Sequence, residues 1–282
     1  MNKKNQDRKI NNTYNNISSL TILSLLFSVA IAFFSAFDAM AGEEKINTPV
    51  LFQPPPGEEQ PEETEGAGTR DGGSCSHDVA TQTLKTIDDR SDLTAIAPSR
   101  NSNYGAKIIY GGTTKGHPTF WVNLPKTSAQ KAILMVKKGS DAPWHQLLPH
   151  WQQTISLPEK AGIIDIELSK DAPALEIGKN YQWKVVLVCG NSPNPNDPEV
   201  TAGIKRIDPS QINNSNVPTT QTELDKASLY ARQGIWYDAL DIVVEEKSSW
   251  NNWNDIWVGY LQSGGLAKKI ADEPVIDKSS GR

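Results

Sequence analysis

The feature that most constrains the fold is the run Tyr181-Gln182-Trp183-Lys184-Val185-Val186-Leu187-Val188-Cys189. Successive side chains of a strand point to opposite faces, so Tyr181, Trp183, Val185, Leu187 and Cys189 share one side of an extended ribbon. Large apolar groups repeated on one side require a sheet with a covered face. The same alternation sets Phe120, Val122 and Leu124 against Trp121 and Asn123, and Ile164, Ile166 and Leu168 against Asp165 and Glu167. Further strands are expected at 93–96, 131–137, 152–157 and 200–207, separated by turn chemistry such as the loop 190–198. About seven short strands without helical crossovers predict a mainly β chain with an antiparallel β-sandwich over residues 75–208. Within it, Leu175, Gly178 and Tyr181 follow the local pattern of a tyrosine corner, in which the phenol bonds back to upstream backbone, and this favours an immunoglobulin-like (Ig-like) arrangement.

After a polar linker at 209–219 the period changes. Thr220-Gln221-Thr222-Glu223 reads as a capping box, Ala227, Tyr230 and Ala231 share a helical face, and Gly234 supplies a stop. Further helices are expected at 236–247, 252–262 and 266–271, giving a small C-terminal α region over 220–273 and a disordered tail at 274–282. The spacing of Ala227, Tyr230, Gly234, Trp236 and Ala239 is similar to one tetratricopeptide (TPR-like) helical hairpin. It departs from that pattern at Glu246, where a small residue is expected, and at Asn251, where proline is usual. Such units need neighbours to bury their faces, so a single copy is expected to pack on the sandwich or on its own trailing helix rather than form a peptide groove.

The start of the chain carries Lys3, Lys4, Arg8 and Lys9, then an uncharged apolar stretch from Ile17 to Phe37 ending in Asp38-Ala39-Met40-Ala41. This is the pattern of a signal peptide over 1–41, with Ala39 and Ala41 at the minus-three and minus-one positions of the cleavage site. The apolar body exceeds the roughly 7 to 15 residues usual for a signal and approaches the ~20 that span a bilayer, so cleavage and retention as an uncleaved anchor both stay open. Residues 42–74 are rich in Pro, Glu and Gly and offer too little apolar surface to offset ordering entropy; they are expected to form a disordered leader. Cys75 and Cys189 are the only cysteines and both follow the signal. In an oxidising compartment such a pair reads as a disulfide bond.

A net charge of -5 leaves no electrostatic footprint for nucleic acid. His77, His117, His145 and His150 are the only histidines; His145 and His150 have no acidic residue at coordinating spacing and no convincing nucleophile beside them, and His117 reads as a local contact at a strand entrance, so neither a metal site nor a catalytic set is expected. Gly111-Gly112 lacks the helix start that a phosphate loop requires. No cofactor is expected. Eight tryptophans are a heavy load for this length. Trp183 reads as core and Trp236 as a helix contact, while Trp250, Trp253 and Trp257 recur at helical spacing. Trp121, Trp144 and Trp151 are less clearly inward and are the candidate ligand or partner contacts.

These features point to a secreted, non-enzymatic envelope protein: a protein-binding module of the periplasm or cell surface, touching membrane only through its N-terminal segment if that segment is retained. A carbohydrate-binding module for envelope or extracellular polysaccharide, using outward tryptophans, is the alternative. A hydrolase with an unrecognised site is the third reading.

Taken in order, Pro54-Pro55-Pro56 with Gly66-Ala67-Gly68-Thr69-Arg70, Leu93-Thr94-Ala95, His117-Pro118-Thr119-Phe120-Trp121, Tyr181-Gln182-Trp183 with Cys189, and Ser228-Leu229-Tyr230-Ala231 through Gly234-Ile235-Trp236-Tyr237-Asp238-Ala239-Leu240 form a specific series. The series resembles the cyanobacterial family known as domain of unknown function 928, over about Leu51 to Glu273. The resemblance implies a cyanobacterial, extracytoplasmic setting and carries over no activity, cofactor or catalytic residue.

Overall fold

The alternating run is the centre of a five-stranded sheet. A computed structural model describes residues 49–55, 75, 92–102, 105–139, 143–212 and 222–276, all within the unit Thr48–Arg282. The signal peptide with Ala39 and Ala41, residues 56–74 of the leader, 213–221 and 277–282 lie outside the described residues.

The strands are β1 (Thr94–Ala95), β2 (Ser99–Ser102), β3 (Gly105–Ile108), β4 (Tyr110–Thr113), β5 (Thr119–Leu124), β6 (Lys131–Lys138), β7 (Leu148–Ser156), β8 (Gly162–Glu167), β9 (Asn180–Val188) and β10 (Glu199–Arg206). The five-stranded sheet has the order β4-β10-β9-β6-β7, a three-stranded sheet the order β1-β5-β8, and β2 with β3 forms a hairpin. Strand β9 pairs antiparallel with β10 and β6, and its apolar face meets the other sheet where Phe120 packs on Trp183 at 5.0 Å between ring centroids. Gln182, Lys184 and Val186 on the opposite face of β9 are buried as well. The expected phenol bond is present: the backbone N–H of Glu176 donates to Tyr181 Oη at 3.0 Å. Cys75 and Cys189 are joined in a disulfide that spans 114 residues of sequence and anchors Cys75 at the end of β9.

Two strand expectations are corrected. The large sheet is not purely antiparallel, because β4 joins β10 in parallel. Strands β2 to β4 were also not legible. Tyr-Gly-Gly-Thr has no apolar period, and its glycines serve a close approach instead. The N–H of Gly112 donates to Gly234 O at 2.6 Å, and a Cβ on Gly112 would lie 2.7 Å from that same oxygen.

Among the described residues the C-terminal part holds four α-helices: α1 (Glu223–Arg232), α2 (Trp236–Glu245), α3 (Trp253–Ser263) and α4 (Lys268–Ala271). The capping box falls two residues later than expected, with Thr222 as N-cap and Asp225 as its reciprocal partner. Gly234, at φ +74°, ends α1 in the left-handed conformation that glycine adopts without steric cost. The region packs on the sheets through buried aromatics. Trp236 Nε1 donates to Ile96 O at 3.0 Å, its ring stacks on Tyr260 at 4.4 Å, and Tyr260 Oη donates back to Trp236 O at 2.7 Å.

Both ends of the described fold reach further than the composition suggests. Val50 and Phe52, placed by sequence in the disordered leader, are buried, Phe52 edge-on to Trp236 of α2. In the nominal tail, Val275 bridges Ile163 in parallel, with Ile163 N–H donating to Pro274 O and Ile276 N–H to Ile163 O. In the linker, Pro209–Gln211 forms a 3-10 turn capped by Asp208. Among the described residues no helix is long and apolar enough to cross a membrane.

Candidate functional site

Because Phe120, Val122 and Leu124 point into the core, β5 turns Thr119 and Trp121 to its other face, and β8 does the same with Asp165 and Glu167. The antiparallel register pairs Thr119 with Glu167 and Trp121 with Asp165. These four residues form one side of a cleft of about 380 Å³. Lys115, from the β4–β5 connection, also lines it. Asp241, Val244 and Glu245 from the last turns of α2 face the sheet, and Val275 and Ile276 complete the wall.

The chemistry centres on Asp241, which is only 5% exposed. Its Oδ1 accepts from Trp121 Nε1 at 2.8 Å and its Oδ2 from Lys115 Nζ at 2.7 Å. Burial pushes its carboxyl up to about 6, against the opposing pull of Lys115 and of the hydrogen bonds from Lys115 and Trp121. One turn earlier, Asp238 accepts from Thr113 Oγ1 at 3.0 Å and from Thr114 N–H at 2.6 Å; burial raises its pKa too. The two aspartates, three residues apart on one helix face, thus hold residues 113–115 against α2. Burial acts to lower the Lys115 ammonium pKa, but Asp241, with Asp238 and Glu245, outweighs it and leaves it raised.

Four carboxylates (Asp165, Glu167, Asp241 and Glu245) and one ammonium line the cleft, beside an apolar wall of Val244, Val275 and Ile276. Such a surface complements a cationic head on an aliphatic stem. Among the described residues no group of three or more His, Cys, Asp or Glu converges as a metal shell.

Of the three tryptophans singled out by sequence, only Trp121 reaches the cleft, and it is 7% exposed. Trp144 is half-buried, with Lys137 and Lys184 Nζ at 4.8 and 5.0 Å from its ring. Trp151, also half-buried, packs at the core margin and donates to Gln153 Oε1 at 3.0 Å. The three form no continuous strip. His117 and His150 bond through Nε2 to Ala172 O and Pro173 O at 2.9 and 2.8 Å, which are structural contacts.

Sequence reasoning passed over Lys115, Asp165, Glu167, Asp241 and Glu245 as site residues. One signal was present: Asp238 and Asp241 interrupt the otherwise apolar stretch from Trp236 to Val244, and an acid inside an apolar helix must have a buried partner.

A family model described as Domain of Unknown Function (DUF928) matches residues 65–275, which include every residue lining the cleft except Ile276. No curated protein matches the chain.

Proposed function

The chain belongs to the DUF928 family, and from that premise we propose that it is a non-enzymatic, extracytoplasmic binding protein that takes a cationic segment of an envelope protein into the cleft beside Trp121 and Asp241. The observation that carries this reading is the pairing of an apolar wall with an anionic rim in one cleft: a Lys or Arg stem would lie on Val244, Val275 and Ile276 while its head would meet Asp165, Glu167 and Glu245. Rim charges of this kind steer association and weaken with salt.

The tryptophan environments support a protein partner over a polysaccharide. Stacking on sugars needs an open ring face, whereas Trp121 is nearly buried and Trp144 lies beneath two lysines. A hydrolytic reading gains little from Asp241, because both of its oxygens are already held, by Trp121 and Lys115. The disulfide is compatible with an oxidising compartment, which agrees with an exported protein in a cyanobacterial envelope. The Glu176–Tyr181 bond supports an immunoglobulin-like sandwich, and the approach of α1 and α2 around Gly234 supports a tetratricopeptide-like pair.

Titration of Lys- and Arg-bearing hexapeptides, and of cellohexaose and chitohexaose, against intrinsic tryptophan fluorescence tests the reading. The expected result is a salt-sensitive response to the basic peptides that disappears in an Asp165→Asn/Glu245→Gln variant. A response to the sugars with silent peptides replaces this reading with the polysaccharide one, and silence from both removes the cleft as a binding site.

A further inference from the structure

Residues 49–55 cross the helical region as a bound peptide would. They form no strand, yet burial alternates along them: Val50, Phe52 and Pro55 are buried, whereas Pro49, Leu51 and Gln53 are exposed, Leu51 by 44%. Two consecutive backbone donors are met by the helices. Phe52 N–H donates to Ser263 Oγ at 2.8 Å, and Gln53 N–H donates to Ala231 O at 2.9 Å. Ser263 is oriented for this role because its own hydroxyl donates to Tyr260 O at 2.6 Å. The Phe52 ring stands edge-on to Trp236, with centroids 5.2 Å apart at 89°. Pro55 sits on Gly234, where any Cβ would come within 2.8 Å of the proline Cγ.

The end of α1, the α1–α2 turn, the start of α2 and the end of α3 therefore each supply one feature: an acceptor, a flat seat, an aromatic wall and a hydroxyl. Main-chain bonds combined with pockets for alternate side chains are the usual elements of extended-peptide recognition. None of these contacts depends on the covalent link through residues 56–74, which joins the segment to the disulfide-anchored Cys75.

We infer that the helical region is a peptide-binding groove whose tethered ligand is Val50-Leu51-Phe52-Gln53-Pro54-Pro55, and that the same segment of a second copy can take its place. The tether keeps the segment at high effective concentration, so the groove is filled in cis until the tether is cut or a neighbouring copy exchanges its arm. This inference is independent of the acidic cleft, with which it shares no residue.

The test uses the exported chain with a site-specific protease sequence inserted within residues 56–74, cut after folding, and a fluorescein-labelled peptide spanning residues 48–56 read by anisotropy. The cut chain is expected to take up the peptide, the intact chain to bind it at least about 100-fold more weakly, and a Phe52→Ala peptide to lose at least about 100-fold in affinity. Circular dichroism accompanies each step. A cut chain that keeps its native spectrum but never admits the peptide overturns the inference. So does unfolding on cutting, which makes the segment a fixed part of the core, and so does equal uptake of the Phe52→Ala peptide.

Discussion

Trp183 and Tyr237 meet at 2.8 Å, the indole N–H of β9 donating to the phenolic oxygen of α2, which in turn donates to Gly203 O at 2.8 Å. Both side chains are fully buried, and burial pushes the Tyr237 phenol far above its ordinary pKa. The sheet and the helical region thus share one core. Replacing Tyr237 by Phe leaves the Trp183 donor and the Gly203 acceptor without this partner, at a cost of about 2–4 kcal/mol. Urea unfolding followed by both far-ultraviolet dichroism and tryptophan fluorescence should show one coincident transition at a lower midpoint. Two separated transitions in the unaltered chain are the result that opposes a shared core.

The disulfide makes a separate contribution. Closing a loop of 114 residues restricts the unfolded chain and stabilises the fold by ~4–5 kcal/mol in the chain-entropy model. A Cys75→Ser/Cys189→Ser variant, or the native chain in excess reductant, should lose stability of that order by urea titration. An unchanged midpoint speaks against the linkage.

Asp241 gives a pH dependence with a definite sign. Its folded pKa, about 6, lies above the ordinary 3.8, so the folded chain retains a proton that the unfolded chain has released between those values. The contribution of this group to stability therefore falls as pH rises from about 4 to about 6, and is constant outside that window. An Asp241→Asn variant removes this slope. Relative to the variant, the native chain should lose about 2–3 kcal/mol between pH 4 and pH 7. Parallel pH profiles for the two proteins contradict the assignment.

Two glycines give opposite expectations. At Gly112 an added Cβ meets the backbone oxygen of Gly234 at 2.7 Å, so Gly112→Ala forces α2 away from β4 at a cost of about 1–3 kcal/mol. At Gly259, in the middle of α3, an added methyl meets nothing within 4 Å, and Gly259→Ala should stabilise by about 0.5–1 kcal/mol. Thermal melts of the two variants should move in opposite directions.

The elements legible from sequence are those whose own residues carry a period. Strands β5, β6, β8, β9 and β10 show it, and α2 and α3 were placed within a few residues. The disulfide followed from there being two cysteines after a signal-like segment. What escaped is set by distant partners. Strand β4 exists because its glycines let α2 approach, and Phe52 is held because Trp236 and Ser263 receive it. The cleft draws on β5, β8, α2 and residues 275–276. No linear spacing relates these, and the aspartates within the apolar α2 were its one local trace.

The central claim, that the cleft receives a cationic protein segment, is tested most directly by site-specific photocrosslinking in intact cells that produce the protein. A photoreactive side chain at Val244, on the cleft wall, is compared with one at exposed Thr154 on β7, and the adducts are mapped by mass spectrometry. The account predicts adducts at Val244 alone, on a partner segment bearing Lys or Arg, that vanish in the Asp165→Asn/Glu245→Gln background. Adducts equal at both positions, or none at Val244, contradict it.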